Sequence, residues 1–178
     1  MRAEDFTERL AASAPTVQQL RSVGLSTDEA AVFAGSYHAK ARPDTAAKAF
    51  ADPLLDWVSR FDVREIEIGM MSFGPLAPKD SVWEIGRVET DPIVVDRASG
   101  EVEVRDSQPT GRTLWKCARN GEAFLEAALL AAAFLARCAY DAQLSEDAAK
   151  RRATAADCAR AAGGSEYESF YLMLLGCD

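Results

Sequence analysis

The stretch "IVVDRASGEVEVRD" (residues 93–106) decides how the rest of the chain is read. Two runs rich in valine and isoleucine flank Asp96 and Gly100. An aspartate at a turn hydrogen-bonds back onto the turn backbone, and a glycine takes the positive φ that closes a hairpin loop. Side chains alternate along a strand, so Val102 and Val104 face one way while Glu101, Glu103 and Arg105 face the other. One apolar face and one charged face predict a sheet covered by helices on one side only.

The flanking sequence extends that sheet. In "VREIEIG" (63–69), Ile66 and Ile68 bracket Glu67 in a two-residue rhythm, and "VWEIGRVE", "PIVVD", "EVEVRD" and "TLWKCA" follow as short strand-like runs. Their spacing predicts an antiparallel meander of about four or five strands. Between the first two runs, Gly74, Pro75 and Pro78 in "MMSFGPLAPKD" predict a break in regular structure.

On either side the period changes to that of helices. Phe6 and Leu10 share a face at i, i+4, and Val17 and Leu20 share one at i, i+3 in the next segment, which Gly24 can terminate. Ser26 and Glu29 have the spacing of a capping box. The stretch "RPDTAAKAFADPLLDWVSRF" (42–61) predicts a helix around Pro53. "NGEAFLEAALLAAAFLARCAYDAQL" (120–144) is apolar on most faces and is expected as the central helix beneath the sheet. Ser145 is the expected cap of the following helix, which Gly163 and Gly164 end, and Ser165 with Glu168 repeats the capping-box spacing. Helices, strands, helices describe a single α+β domain: helical over 1–60, sheet over 61–118, helical over 119–178.

Composition narrows the functional classes. The chain has 178 residues, 48% of them hydrophobic and 27% charged, which suits a packed globular protein. A net charge of −8 repels phosphate backbones and argues against DNA or RNA as a direct ligand. The same charge favours basic partners. The opening "MRAEDFTERL" has no apolar segment of the kind a secretion signal needs. The apolar run "AALLAAAFLA" (127–136) falls short of the ~18 residues expected of a membrane span. Cys117, Cys138, Cys158 and Cys177 stand singly, as small buried hydrophobes do in a cytoplasmic protein.

A search for catalytic vocabulary finds little. His38 is the one histidine, with no serine–aspartate or cysteine context and no evident group to orient it. The cysteines lack a basic setting whose charge must face the sulfur. The carboxylate pairs Glu65/Glu67 and Glu101/Glu103 each lie on one strand face, where i, i+2 residues form a flat strip instead of a pocket. No H-E-x-x-H or D-x-D-x-D-G spacing suggests a metal, and isolated Gly69, Gly74 and Gly86 make no phosphate-cradling loop. No cofactor is expected. Trp57, Trp83 and Trp115 read most simply as core.

The middle of the chain resembles the SUKH superfamily. The resemblance rests on Gly86 at a strand end, the hydrophobic–hydrophobic–Asp run at 93–96, and the Gly-x-Val element at 100–102. It continues in "WKCARNGEAFLEAALL" (115–130), a strand leading into a helix that opens with Phe124 and Leu125. It covers about residues 61 to 135. The chain departs from the family in lacking its Leu-Pro-x-Asp-Tyr element, of which "LSTDEAAVFAGSYHA" (25–39) is a loose echo, and in its helical tail from Ser145.

The resemblance implies an α+β immunity protein: a cytoplasmic antidote that binds a secreted toxin domain, often a nuclease or nucleic-acid deaminase, and is not itself an enzyme. Such toxins tend to carry a basic cleft that an acidic surface can occupy. Glu65, Glu67, Glu84, Glu101 and Glu103 are then the expected partner-binding residues, with Trp83 as an exposed aromatic anchor. Competing readings are an intracellular regulatory or scaffold module using the same face, and a small hydrolase or transferase using His38.

Overall fold

A computed structural model describes residues 1–43, 50–108 and 111–177. Its centre is a six-stranded antiparallel meander in sequence order: β3 (Glu67–Ile68), β4 (Met71–Lys79), β5 (Val82–Val88), β6 (Asp91–Asp96), β7 (Val102–Arg105) and β8 (Thr113–Ala118). A separate pair joins β1 (Lys40–Ala41) to β2 (Phe61–Asp62).

The hairpin forms as expected. Asp96 Oδ1 accepts from the Ala98 and Ser99 amides at 3.0 and 2.9 Å, and Gly100 takes φ +78°. Ile93 pairs with Val104 and Val95 with Val102, which places all four on the inner face, where they are buried. Six strands form where about four or five were expected. The addition is a long β4 that runs straight through Gly74, Pro75 and Pro78, while the strand-like run at 63–69 supplies the edge strand β3, in which Glu67 and Ile68 pair with β4. The predicted break is absorbed as an irregularity of register with β5 between Phe73 and Ala77, so pairing resumes beyond it. Gly86 permits this packing, because a Cβ there would collide with the Ser72 carbonyl oxygen.

Helices cover one side of the sheet. α1 (Ala3–Ala12) buries Phe6 and Leu10, and α4 (Pro53–Arg60) buries Leu54, Leu55, Trp57 and Val58. Residues 44–49 of the stretch predicted to surround Pro53 lie outside the described residues. The Trp57 indole meets Phe6 edge-on at 4.8 Å and Phe73 at 5.1 Å, and its Nε1 donates to Thr7 Oγ1 at 3.1 Å. One side chain thus joins α1, α4 and the sheet.

The predicted central helix is α5 (Gly121–Cys138), which packs against α1, α4, β3 and β8. Asn120 caps it through the Ala123 amide at 2.9 Å. Asp52 does more. It accepts from the Leu54 and Leu55 amides at the start of α4 and, with its other oxygen, from the Gly121 amide at the start of α5. Both helix N-termini therefore converge on one carboxylate, where the exposed backbone donors and the dipoles favour negative charge. Gly121 has no room for a Cβ beside it.

Between α1 and β1 lie α2 (Val17–Ser22) and α3 (Thr27–Gly35), the second with the expected Ser26–Glu29 capping box. The C-terminal third differs in its caps. Ser145 falls inside a short α6 (Ala142–Glu146) started by Asp141, and Asp147 caps α7 (Ala148–Ala162). Asp147 stands at the junction of the two helices, where its Oδ1 accepts from the Lys150 amide at 3.0 Å. Ser165 opens a single 3-10 turn (Ser165–Tyr167), and α8 (Glu168–Leu174) begins with no side-chain cap. The Tyr171 hydroxyl instead donates to the Cys117 carbonyl at 2.9 Å and ties α8 to β8.

Candidate interaction surface

The outer face of the sheet is built by register. Val94 on β6 lies opposite Glu84 on β5 and Glu103 on β7, and Glu103 lies opposite Lys116 on β8. The expectation of a free acidic strip on this face meets a different arrangement, because these carboxylates are matched internally. Glu84 pairs with Lys79 and, at 3.1 Å, with Arg87. Glu103 is buried at 8% exposure and accepts from Arg105 Nε and Thr113 Oγ1, both at 3.0 Å. Glu101 accepts from Lys116 Nζ at 3.0 Å and from the Tyr167 hydroxyl at 3.2 Å. The Glu101 bond raises the Lys116 pKa, which strengthens the match.

Trp83 projects to the other side. It opposes Val95, meets Phe50 edge-on at 5.6 Å, and lies half-buried beneath the Arg97 guanidinium at 4.2 Å. The exposed anchor read from the sequence is a packed ring. An alternation count could not reveal this, since the neighbours that cover Trp83 come from outside its own strand.

Glu65 and Glu67 have a different setting. Both are exposed at the β3 edge, beside α3. Here the tertiary structure makes a groove of about 840 Å³ between α3, β3 and the last turn of α5. Its walls include Leu25, Val32, Phe33, Tyr37 and Leu135, and its rim carries Asp28, Glu29 and Glu67. No lysine or arginine lines it among the described residues. Asp28, Glu29, Glu65 and Glu67 have no ion-pair partner among the described residues. Glu29 is held below the usual carboxylate range by the Ser26 hydroxyl and amide of its capping box. Arg64 stands next to Glu65 but is committed to Asp62 through bonds of 2.8 and 2.6 Å.

Apolar surface continues past the groove. Two shallower depressions adjoin it at Cys138, one edged by Met70 and one by Val23. Among the described residues, Val23, Val32 and Met70 are three of the five large hydrophobic side chains that are exposed, and Val32 stands out at 75%. Exposed apolar side chains gathered in one place mark an interaction site more than scattered ones do. The sequence singled out Glu65 and Glu67 but missed Asp28, Val32 and Leu135; an unsatisfied valine on a short helix was the one available signal.

The other chemical candidates are placed as follows. His38 is exposed after the end of α3, and its ring has no hydrogen-bond or ionic partner among the described residues. Cys117 and Cys158 are buried, Cys138 and Cys177 half-buried. Burial raises the thiols of Cys117 and Cys138 and pushes Cys158 up to about 12, which keeps these sulfurs protonated and poorly nucleophilic. No group of three or more potential metal ligands occurs among the described residues. No helix among them is long and apolar enough to cross a membrane. Comparison of the chain with protein-family models, curated proteins and solved structures finds no match.

Proposed function

We propose that this protein is an immunity protein: a cytoplasmic, stoichiometric inhibitor that binds a basic toxin domain, of nuclease or nucleic-acid deaminase type, and blocks it by occlusion. The observation that carries the reading is how the acidic charge is distributed. The sheet-face carboxylates Glu84, Glu101 and Glu103 are matched within the fold, whereas Asp28, Glu29, Glu65 and Glu67 stand unmatched around an apolar groove. Unmatched charge on a chain of net −8 attracts a basic partner and speeds its encounter. The SUKH-like stretch supplies the class of partner.

The site therefore centres on Glu65 and Glu67, with Glu84, Glu101, Glu103 and Trp83 in supporting structural positions. Inhibition by occlusion requires contact and no bond-making, so protection scales with the amount of protein relative to toxin and not with time.

The test is whether a toxin domain is encoded beside this gene and, with that domain co-expressed in a bacterial host, whether this protein protects the cells. Rescue of growth, with a complex of equal stoichiometry on size exclusion, is the expected result. Failure to bind and failure to rescue together would overturn the immunity reading.

A further inference from the structure

The geometry points to one occupant for the groove: a basic amphipathic helix of a partner protein, its apolar side chains seated between α3 and α5 and its lysines or arginines meeting the rim. The inference rests on the protein-binding reading above and deepens it by naming what the partner presents.

Three observations select this occupant. The first is the pairing of an apolar floor with an acidic rim: Val32, Phe33 and Leu135 below, Asp28, Glu29 and Glu67 above. An amphipathic helix presents anchors at i, i+3, i+4 and i+7 with charges flanking them, which matches such a channel. The second is the sheet edge. An extended peptide adding to β3 would find only Glu67 and Ile68 in strand geometry, too short a ladder to hold it. The third is charge. A second copy of this chain would bring its own carboxylates against Asp28, Glu29 and Glu67, and like charges juxtaposed across an interface disfavour the contact.

Val32 is the most informative position. It lies on α3, is 75% exposed, and lines both the groove and the neighbouring depression that holds Glu65. An apolar side chain left in water at that point is explained by a partner that covers it.

The full-length protein can be titrated, by fluorescence anisotropy, into a labelled synthetic peptide of about four helical turns. The peptide carries leucine at the anchor spacing and lysine or arginine on its flanks. Two controls carry glutamate in place of the basic residues, or serine in place of leucine. Saturable binding of the basic peptide is expected, at least tenfold tighter than of either control.

Val32→Asp and the double variant Asp28→Lys, Glu67→Lys should each weaken binding at least tenfold while the protein stays folded, since all three positions are on the surface and the loss of Asp28 from the first turn of α3 forfeits only one favourable charge at a helix start. Absence of binding, or binding indifferent to Val32→Asp, overturns the proposal. So does self-association in sedimentation velocity that Val32→Asp abolishes, since the groove would then take a second copy. Peptide binding with neither toxin binding nor rescue leaves the groove assignment standing and sinks the immunity reading. Rescue untouched by Val32→Asp does the reverse.

Discussion

Asp52 carries more of the architecture than its neighbours suggest. Its carboxylate satisfies amides at the start of two helices, and each cap of this kind contributes about 0.5–2 kcal/mol. Asp52→Ala is expected to lower the unfolding free energy by about 2 kcal/mol in urea, more than removal of a single cap such as Asp141→Ala. Cys158 and Tyr37 are two of several buried thiols and phenols, with Cys117, Tyr167 and Tyr171, whose raised pKa values make stability fall at alkaline pH. Burial pushes Cys158 and Tyr37 up to about 12, so the folded state holds protons that the unfolded chain releases near pH 9 and 10. Stability from these groups is fully present below those values and is lost as pH rises toward about 12. Melting temperature should therefore fall from about pH 9 upward, and Cys158→Ala should flatten the early part of that decline.

Among the elements, the β6–β7 hairpin and the charged sheet face behave differently under substitution. Asp96→Ala removes the acceptor of the Ala98 and Ser99 amides and of the Ser99 hydroxyl. Loss of about 1 kcal/mol is expected, together with faster amide exchange in β7, because the turn fixes that pairing. Glu103→Lys would set an ammonium among Arg105, Lys116 and a buried valine face, so its effect should be on folding, with a melting temperature lowered by several degrees. Glu65→Lys and Glu67→Lys should leave the melting temperature in place and weaken the partner complex. Affinity lost through Glu103→Lys in a protein that remains fully folded would return the sheet face to consideration as the contact surface.

Across the whole molecule, charge governs how a partner arrives. At a net charge of −8, association with a basic domain should slow as ionic strength rises, since the Debye length shrinks from about 10 Å at 0.1 M salt to about 3 Å at 1 M. Stopped-flow association rates across that range provide the check. A groove floor that contributes apolar burial predicts that dissociation is much less sensitive to salt than association. Equal sensitivity of both rates would mean that the rim alone holds the partner.

Much of the fold was legible in the residues themselves. The turn at Asp96 and Gly100, the inward valines of β6 and β7, the Ser26–Glu29 box and the apolar α5 all follow from local alternation, period and turn chemistry. Local rules apply there because each involves residues a few positions apart. The path of β4 through its prolines and the cap at Asp147 were decided by what the chain packs against. The surface was decided the same way. Whether a glutamate is free or matched depends on cations brought in from other strands, as Lys79 is to Glu84 and Lys116 to Glu101. The groove exists only because α3, β3 and the end of α5, far apart along the chain, meet without closing over Val32.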